Sequence, residues 1–297
     1  MHRLYHPDRV PANSRARKKA PKTDSNGAQV MAKDSSAGQG IHSVVYGDGA
    51  RRALALHCSL AHGGAWKAMA AALTEPLALA AFDLPGHGKS ADWGGQGDYT
   101  NLCARIGAGM ISAGPVDLIG HSGGAVAALQ IAMSMPEQVR TLTLIEPVLF
   151  AAAEGSAESE AFNEAMAPYK VALDAGDRMR AAAVFTGLWG TGTPWEALED
   201  KSRAYMAERI HLIEAGMPAL AKDNFGILDE GQLEGLAMPV MIIIGAKSPP
   251  VIRVIAEALA ARLPDVGLAE VPGAGHMLPL THAVQVAGLV DLNLTRD

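Results

Sequence analysis

The chain has 297 residues, 49% hydrophobic and 19% charged, with a net charge of −6. Such a chain is globular and long enough for one large α/β domain or a core with an insertion. It has no apolar run of the length a membrane-spanning helix needs. Residues 1–40 hold eight Lys or Arg against three Asp or Glu, and the rest carries the acidic excess. An acidic main body argues against a nucleic-acid groove. Cys58 and Cys103, both in apolar surroundings, make no disulfide framework and fit free thiols in the cytoplasm. The ten histidines show no metal-ligand spacing, so neither metal nor cofactor is expected. The oligomeric state is not legible.

In residues 1–40, Pro7, Pro11 and Pro21 break helices, and Arg15, Arg17, Lys18 and Lys19 form a basic cluster. Without an apolar h-region this is no secretory signal, and a disordered tail is expected. Met31-Ala32-Lys33 is a second candidate start, which would make residues 1–30 an extension. His42 to Tyr46 alternates like a strand, Gly47-Asp48-Gly49 signals a hairpin turn, and Arg52 to His57 resumes as a strand. Two strands before any helix predict an antiparallel start to the sheet. The loop His57-Cys58-Ser59-Leu60-Ala61-His62 follows, at a strand's C-terminal end, where ligand-contacting groups gather in open α/β sheets. A helix to about Leu73, a strand over Leu77 to Phe82, the loop Asp83-Leu84-Pro85-Gly86-His87-Gly88-Lys89-Ser90 and a helix over Tyr99 to Ser112 come next.

Val116 to Ile119 is a short apolar run, long enough for a buried strand. Gly120-His121-Ser122-Gly123-Gly124 is G-x-S-x-G, and Ala125 to Met133 reads as a helix. Strand, tight Gly-flanked turn and helix are the context of a nucleophile elbow. Gly120 and Gly124 remove Cβ atoms that would collide with the adjacent strand and helix. Val139 to Ile145 is a β-branched strand ending at Glu146-Pro147. Val148 to Gln232 is helical in pattern, with breaks expected at Gly176, from Gly187 to Pro194 and from Gly216 to Pro218. Val240 to Gly245 is the next buried strand, followed by a helix to about Leu263. Val266 to Val271 is the last strand, then Gly273-Ala274-Gly275-His276-Met277 and a helix over Thr281 to Leu294. This alternation predicts a mostly parallel sheet with flanking helices.

The DLPGHGKS loop, the GHSGG turn and the HCSLA loop one strand earlier resemble the α/β-hydrolase family in its small, cap-bearing form, over about residues 42–297. The resemblance implies a core over 41–147 and 233–297, with a helical cap over 148–232 inserted after strand 6. It also implies a catalytic histidine at His276, on the loop after the last strand. Ser122 alone is a poor nucleophile and needs such a base. His57, His62, His87, His121 and His282 are weaker candidates. The family usually places an acid after the strand ending at Gly245, where this chain has Ser248. Its alternative slot, the end of the preceding strand, holds Glu146, which is therefore assigned as the acid. Asp223 and Asp229 are fallbacks. The oxyanion donors are expected at the backbone N–H of Gly123 and of Ser59, with Leu60 possible; the family usually has Gly where Cys58 stands.

These residues fit a serine hydrolase that forms an acyl-enzyme on a small apolar ester or lactone. Trp189, Trp195, Tyr169, Tyr205 and several Met residues of the cap are available to line an apolar pocket. The same residues would serve a C–C bond hydrolase or a cofactor-free perhydrolase, and a non-catalytic ligand-binding module on this fold is a third reading. Dehalogenase chemistry is disfavoured, because it needs Asp at position 122.

Overall fold

The computed structural model describes residues 29–30, 40–111 and 114–297. Eight strands form one sheet in the order β1-β2-β4-β3-β5-β6-β7-β8. They are β1 (Gln29–Val30), β2 (Ser43–Tyr46), β3 (Arg51–Leu56), β4 (Leu77–Phe82), β5 (Val116–His121), β6 (Val139–Ile145), β7 (Val240–Gly245) and β8 (Val266–Val271). From β4 to β8 every pairing is parallel. The two edge pairings, β1 with β2 and β2 with β4, are antiparallel.

The antiparallel start differs from the expected hairpin, because β2 pairs with β4 rather than with β3. Two glycines explain how the chain passes over β4. A Cβ at Gly47 would lie 2.3 Å from the Leu77 carbonyl oxygen, and one at Gly49 would lie 1.9 Å from that of Pro76. The turn therefore hugs the start of β4, and the more apolar β3 continues inward to lie between β4 and β5. Gln29–Val30 adds a two-residue strand where only a disordered tail was expected. Apart from these two residues and Gly40, the tail reading concerns residues outside the described ones.

Side chains alternate across the sheet, as strand geometry requires. Leu54, Leu56, Leu118, Leu142, Leu144, Ile242 and Ile244 face one core. It is closed by α2 (Tyr99–Gly109), α3 (Gly123–Ser134) and α8 (Pro250–Ala260). Ala53, Ala55, Ile119, Ile145, Met241 and Ile243 face the other. There α1 (Lys67–Ala72) and α10 (Ala283–Leu294) cover the sheet. The C-terminal helix expected from Thr281 is split at His282, so that α9 (Leu278–Thr281) precedes α10.

Between β6 and β7 lie α4 (Ala157–Asp174), α5 (Arg178–Trp189), α6 (Asp200–Arg209) and α7 (His211–Lys222). They share a small core of their own around Met166, Tyr169, Ala181, Ala182 and Ile210. The expected breaks at Gly176 and after Gly187 occur, but the one at Gly216 to Pro218 does not. Pro218 sits inside α7, and the chain instead changes direction at Ile210. Leu212, Ile213, Ala219 and Leu220 are buried along α7, so packing outweighs the hydrogen bond that Pro218 forgoes.

At the N-terminal end of β5 the Asp117 carboxylate is buried, with Arg51 at 2.7 Å and Arg140 at 2.6 Å. Burial alone would raise its pKa, but hydrogen bonds and charge from the two guanidinium groups outweigh that and hold it below the usual carboxylate range. Asp117→Ala leaves Arg51 and Arg140, each a quarter exposed, with Asp297 as their remaining carboxylate partner, and is expected to cost about 1–3 kcal/mol in stability. Urea unfolding would show that loss, with kcat unchanged in the folded fraction.

Candidate active site

Ser122 joins β5 to α3 with φ 58 and ψ −123, a strained backbone for a residue with a side chain. The flanking glycines make it feasible. A Cβ at Gly120 would lie 2.5 Å from Ala125 Cα, and one at Gly124 would lie 2.4 Å from the Leu56 carbonyl oxygen. The Ser122 N–H donates to the Ile145 carbonyl at 2.9 Å, which ties the elbow to the end of β6.

The next residue after β6 is Glu146, at φ 51 and fully buried. Its N–H donates to the Ile243 carbonyl at 2.8 Å, and its Oε1 accepts from the Gly245 N–H at 2.6 Å. Its Oε2 lies 2.8 Å from His276 Nδ1, and His276 Nε2 lies 3.0 Å from Ser122 Oγ. A carboxylate can only accept, so Nδ1 carries the proton and Nε2 is free to accept from the serine hydroxyl. Ser122, His276 and Glu146 thus stand in one hydrogen-bonded row at the C-terminal edge of the sheet.

The other acid candidates are elsewhere. The Asp223 carboxylate caps the turn after α7, accepting from the N–H groups of Ile227 and Leu228. Asp229 packs against Gly226, where a Cβ would lie 2.4 Å from its Oδ2. Ser248, in the family's usual acid slot, has a buried hydroxyl with no hydrogen-bond partner among the described residues.

Three other histidines near the site are buried cross-links. His57 donates from Nδ1 to the Cys58 carbonyl (2.7 Å) and accepts at Nε2 from the Leu84 N–H (2.9 Å). His87 accepts at Nε2 from the Leu60 N–H at 3.0 Å, and its Nδ1 meets the Pro85 carbonyl and the Tyr99 hydroxyl. His121 donates from Nε2 to the His276 carbonyl at 2.9 Å. Burial pushes the His57 pKa down to about 4 and lowers those of His87 and His121 well below the ordinary histidine range. His62 only caps the turn at Gly63–Trp66, and His282 is at the surface beside Thr281.

The bond from Leu60 to His87 bears on the oxyanion donors, because it commits the Leu60 N–H and leaves Ser59 of the two candidates. A Cβ on Gly123 would lie 3.6 Å from Ser59 Oγ, so the two loops meet beside the serine. Gly123 is the first residue of α3, where N–H groups have no intrahelical acceptor. Cys58 is buried against Met277, and desolvation pushes its thiol up to about 12, so it stays protonated and inert.

A cavity with about 870 Å³ of atom-free space, its open mouth included, reaches Ser59, Ser122 and Gly123 at its inner end. Phe150, Phe162, Met166, Tyr169, Phe185 and Trp189 make its wall strongly apolar, while exposed Asn163, Lys170 and Glu214 rim it. Trp189 also meets the His276 ring edge to face, with centroids 4.5 Å apart. Trp195 and Tyr205 are not part of this wall. Tyr205 instead bonds two loops of the core, a role that no sequence signal marks. Among the described residues no group of three or more His, Cys, Asp or Glu could hold a metal ion, and no helix is long and apolar enough to cross a membrane.

A mostly parallel sheet carrying such a serine elbow and histidine loop at one edge defines the α/β-hydrolase class. Residues 54–289 match the alpha/beta hydrolase family, and the chain belongs to that family. Lipase LipV of Mycobacterium tuberculosis is 34% identical over 158 residues, which are 52% of this chain and 58% of the lipase's length. Pimeloyl-[acyl-carrier protein] methyl ester esterase of Xanthomonas campestris pv. campestris is 30% identical over 263 residues, or 83% of this chain and 96% of the esterase. Among solved structures, a bacterial membrane phospholipase A is similar in fold, with a TM-score of 0.71 at 20% identity, covering 90% of this chain and 85% of the other.

The buried histidines give a pH prediction. Unfolding releases them to an ordinary pKa near 6.5, above their folded values. Their contribution is therefore complete above pH 6.5 and erodes as pH falls from there, for His57 down to about 4. Urea unfolding at pH 7.5 and pH 5 is expected to show a stability loss of roughly 1 kcal/mol per pH unit for each histidine within that window. A stability that is flat between those pH values would contradict the neutral assignments.

Proposed function

We propose that the protein is a serine hydrolase that cleaves small apolar carboxylic esters or lactones through an acyl-enzyme, in a reducing compartment such as the cytoplasm. The observation that carries this reading is the hydrogen-bonded row of Ser122, His276 and Glu146 at the inner end of an apolar cavity. The two curated relatives, named a lipase and a methyl ester esterase, support ester cleavage as the reaction type.

In this mechanism His276 Nε2 takes the proton of Ser122 as Oγ attacks the ester carbonyl. The oxyanion is held by the N–H groups of Gly123 and Ser59, each of which contributes about 3 kcal/mol to the transition state. His276 returns the proton to the departing alcohol, and water then clears the acyl group by the same steps in reverse. Glu146 fixes the Nδ1–H tautomer and stabilises the imidazolium. The segment over 148–232 acts as a cap: its α4, α5 and α7 side chains supply much of the apolar wall, which accepts the acyl part.

A fluorophosphonate probe is expected to label the wild type and not Ser122→Ala. Glu146→Gln should fold and lose about 10³- to 10⁴-fold in kcat, while Ser248→Ala stays close to wild type. Near-wild-type turnover by Glu146→Gln would remove Glu146 from the mechanism. Across p-nitrophenyl esters, kcat/KM should rise from acetate to hexanoate by up to about fourfold per methylene. Labelling without turnover of any ester would redirect the same residues to carbon–carbon cleavage or perhydrolysis.

A further inference from the structure

The loop that carries Ser59 is strained and held from outside. Its turn closes by the Ala61 N–H donating to the Cys58 carbonyl at 3.3 Å, and within it Leu60 takes φ 63, a region disfavoured for a residue with a Cβ. Two bonds oppose that strain. One is the Leu60 N–H to His87 Nε2. The other comes from the inserted helices: the Tyr205 hydroxyl on α6 donates to the Ala61 carbonyl at 3.0 Å. The same hydroxyl accepts from the Gly88 N–H at 2.9 Å.

Gly88 is a fixed point. It takes φ 54, and a Cβ there would lie 2.1 Å from Asp83 Oδ2. The Asp83 carboxylate in turn accepts from the N–H groups of Gly63 and Lys89. The phenol oxygen is therefore a strut between a rigid loop after β4 and the strained loop after β3, and it belongs to neither. The Arg209 guanidinium stacks 3.8 Å from the centre of the Tyr205 ring, on its face and away from the hydroxyl's two hydrogen bonds. Burial raises the pKa of the phenol above its ordinary range, so it keeps the proton it donates to Ala61.

We propose that Tyr205 is a positioning residue for the oxyanion donors, its hydroxyl locking the Ser59–Ala61 turn to the core when the inserted helices are seated. The proposal rests on reading the Ser59 N–H as one of those donors. Without the strut, the Ala61 carbonyl and the Gly88 N–H turn to water, and only His87 opposes the strain at Leu60. The Ser59 N–H then moves off the position where the oxyanion forms. Because that charge exists only in the transition state, the loss falls on kcat and not on ground-state binding. Seating of the inserted helices and competence for catalysis become one event.

The test compares Tyr205→Phe, which keeps the ring and its stacking, with Arg209→Gln, which removes the stacking and keeps the hydroxyl. Active sites are titrated with a fluorophosphonate, so that only folded enzyme counts. Three readouts are taken: kcat and KM on p-nitrophenyl butyrate, affinity for an alkyl trifluoromethyl ketone that adds to Ser122 as a tetrahedral oxyanion, and affinity for the matching secondary alcohol. Tyr205→Phe is expected to lose about 10- to 100-fold in kcat and a similar factor in ketone affinity, somewhat less than outright removal of a donor. Its KM and alcohol affinity should stay within about threefold of wild type, with Arg209→Gln much closer to wild type in both kcat and ketone affinity.

A Tyr205→Phe enzyme with wild-type kcat and ketone affinity overturns the proposal. So does an equal loss in Arg209→Gln, or a parallel loss of alcohol affinity, since either signals general loosening of the inserted helices. A wild type that reacts with neither the ketone nor the fluorophosphonate overturns the serine-hydrolase reading itself, and the positioning role with it.

Discussion

A fully buried carboxylate at the end of β6 must be solvated by something other than water. Glu146 meets that demand with the Gly245 N–H on one oxygen and the His276 ring on the other. Much of the architecture serves this. The parallel pairing of β6 with β7 puts Gly245 within reach, and the loop after β8 folds back to deliver the imidazole. Unpaired, a carboxylate in that position would carry the full cost of burying an unsolvated charge. The interaction that gives the imidazole its orientation is therefore also one the fold needs.

Among the described residues four histidines are buried, and their surroundings divide the work. His57, His87 and His121 each spend ring nitrogens on backbone groups of neighbouring loops. Their burial without a carboxylate partner keeps them neutral. His276 alone has a carboxylate on one nitrogen and a hydroxyl on the other. The three neutral rings fix the loops after β3, β4 and β8, so the distances in the Ser122–His276–Glu146 row are set by a network larger than the row itself.

The parallel sheet was legible, and so were the turns that bring Ser122, His276 and Glu146 into one hydrogen-bonded row, because each is written locally. Gly120 and Gly124 flank the elbow for steric reasons, His276 sits on a Gly-rich loop after the last strand, and Ser248 in the usual acid slot directs attention to Glu146. What was not legible depends on contacts between distant segments. A glycine turn signals reversal but does not say that β4 will come between the two strands it joins. Pro218 reads locally as a break, yet burial along α7 carries the helix through it. The aromatic residues of the inserted segment were visible as a group. Helical periodicity alone could not say that Trp189 turns to the histidine while Tyr205 turns to the loops after β3 and β4.

The chain enters the segment over 148–232 almost directly from Glu146, a residue of the buried row that follows β6. Glu146 is followed at once by Pro147, Val148 and Leu149, the last two buried in the core. Here the entry of the segment over 148–232 runs through the hydrogen-bonded row, whereas its exit near Gln232 is tied by the apolar packing of Leu233 and Leu236. Exchange of the segment between relatives is thereby asymmetric: a new junction at its end disturbs apolar packing alone, whereas one before Leu149 disturbs the row itself.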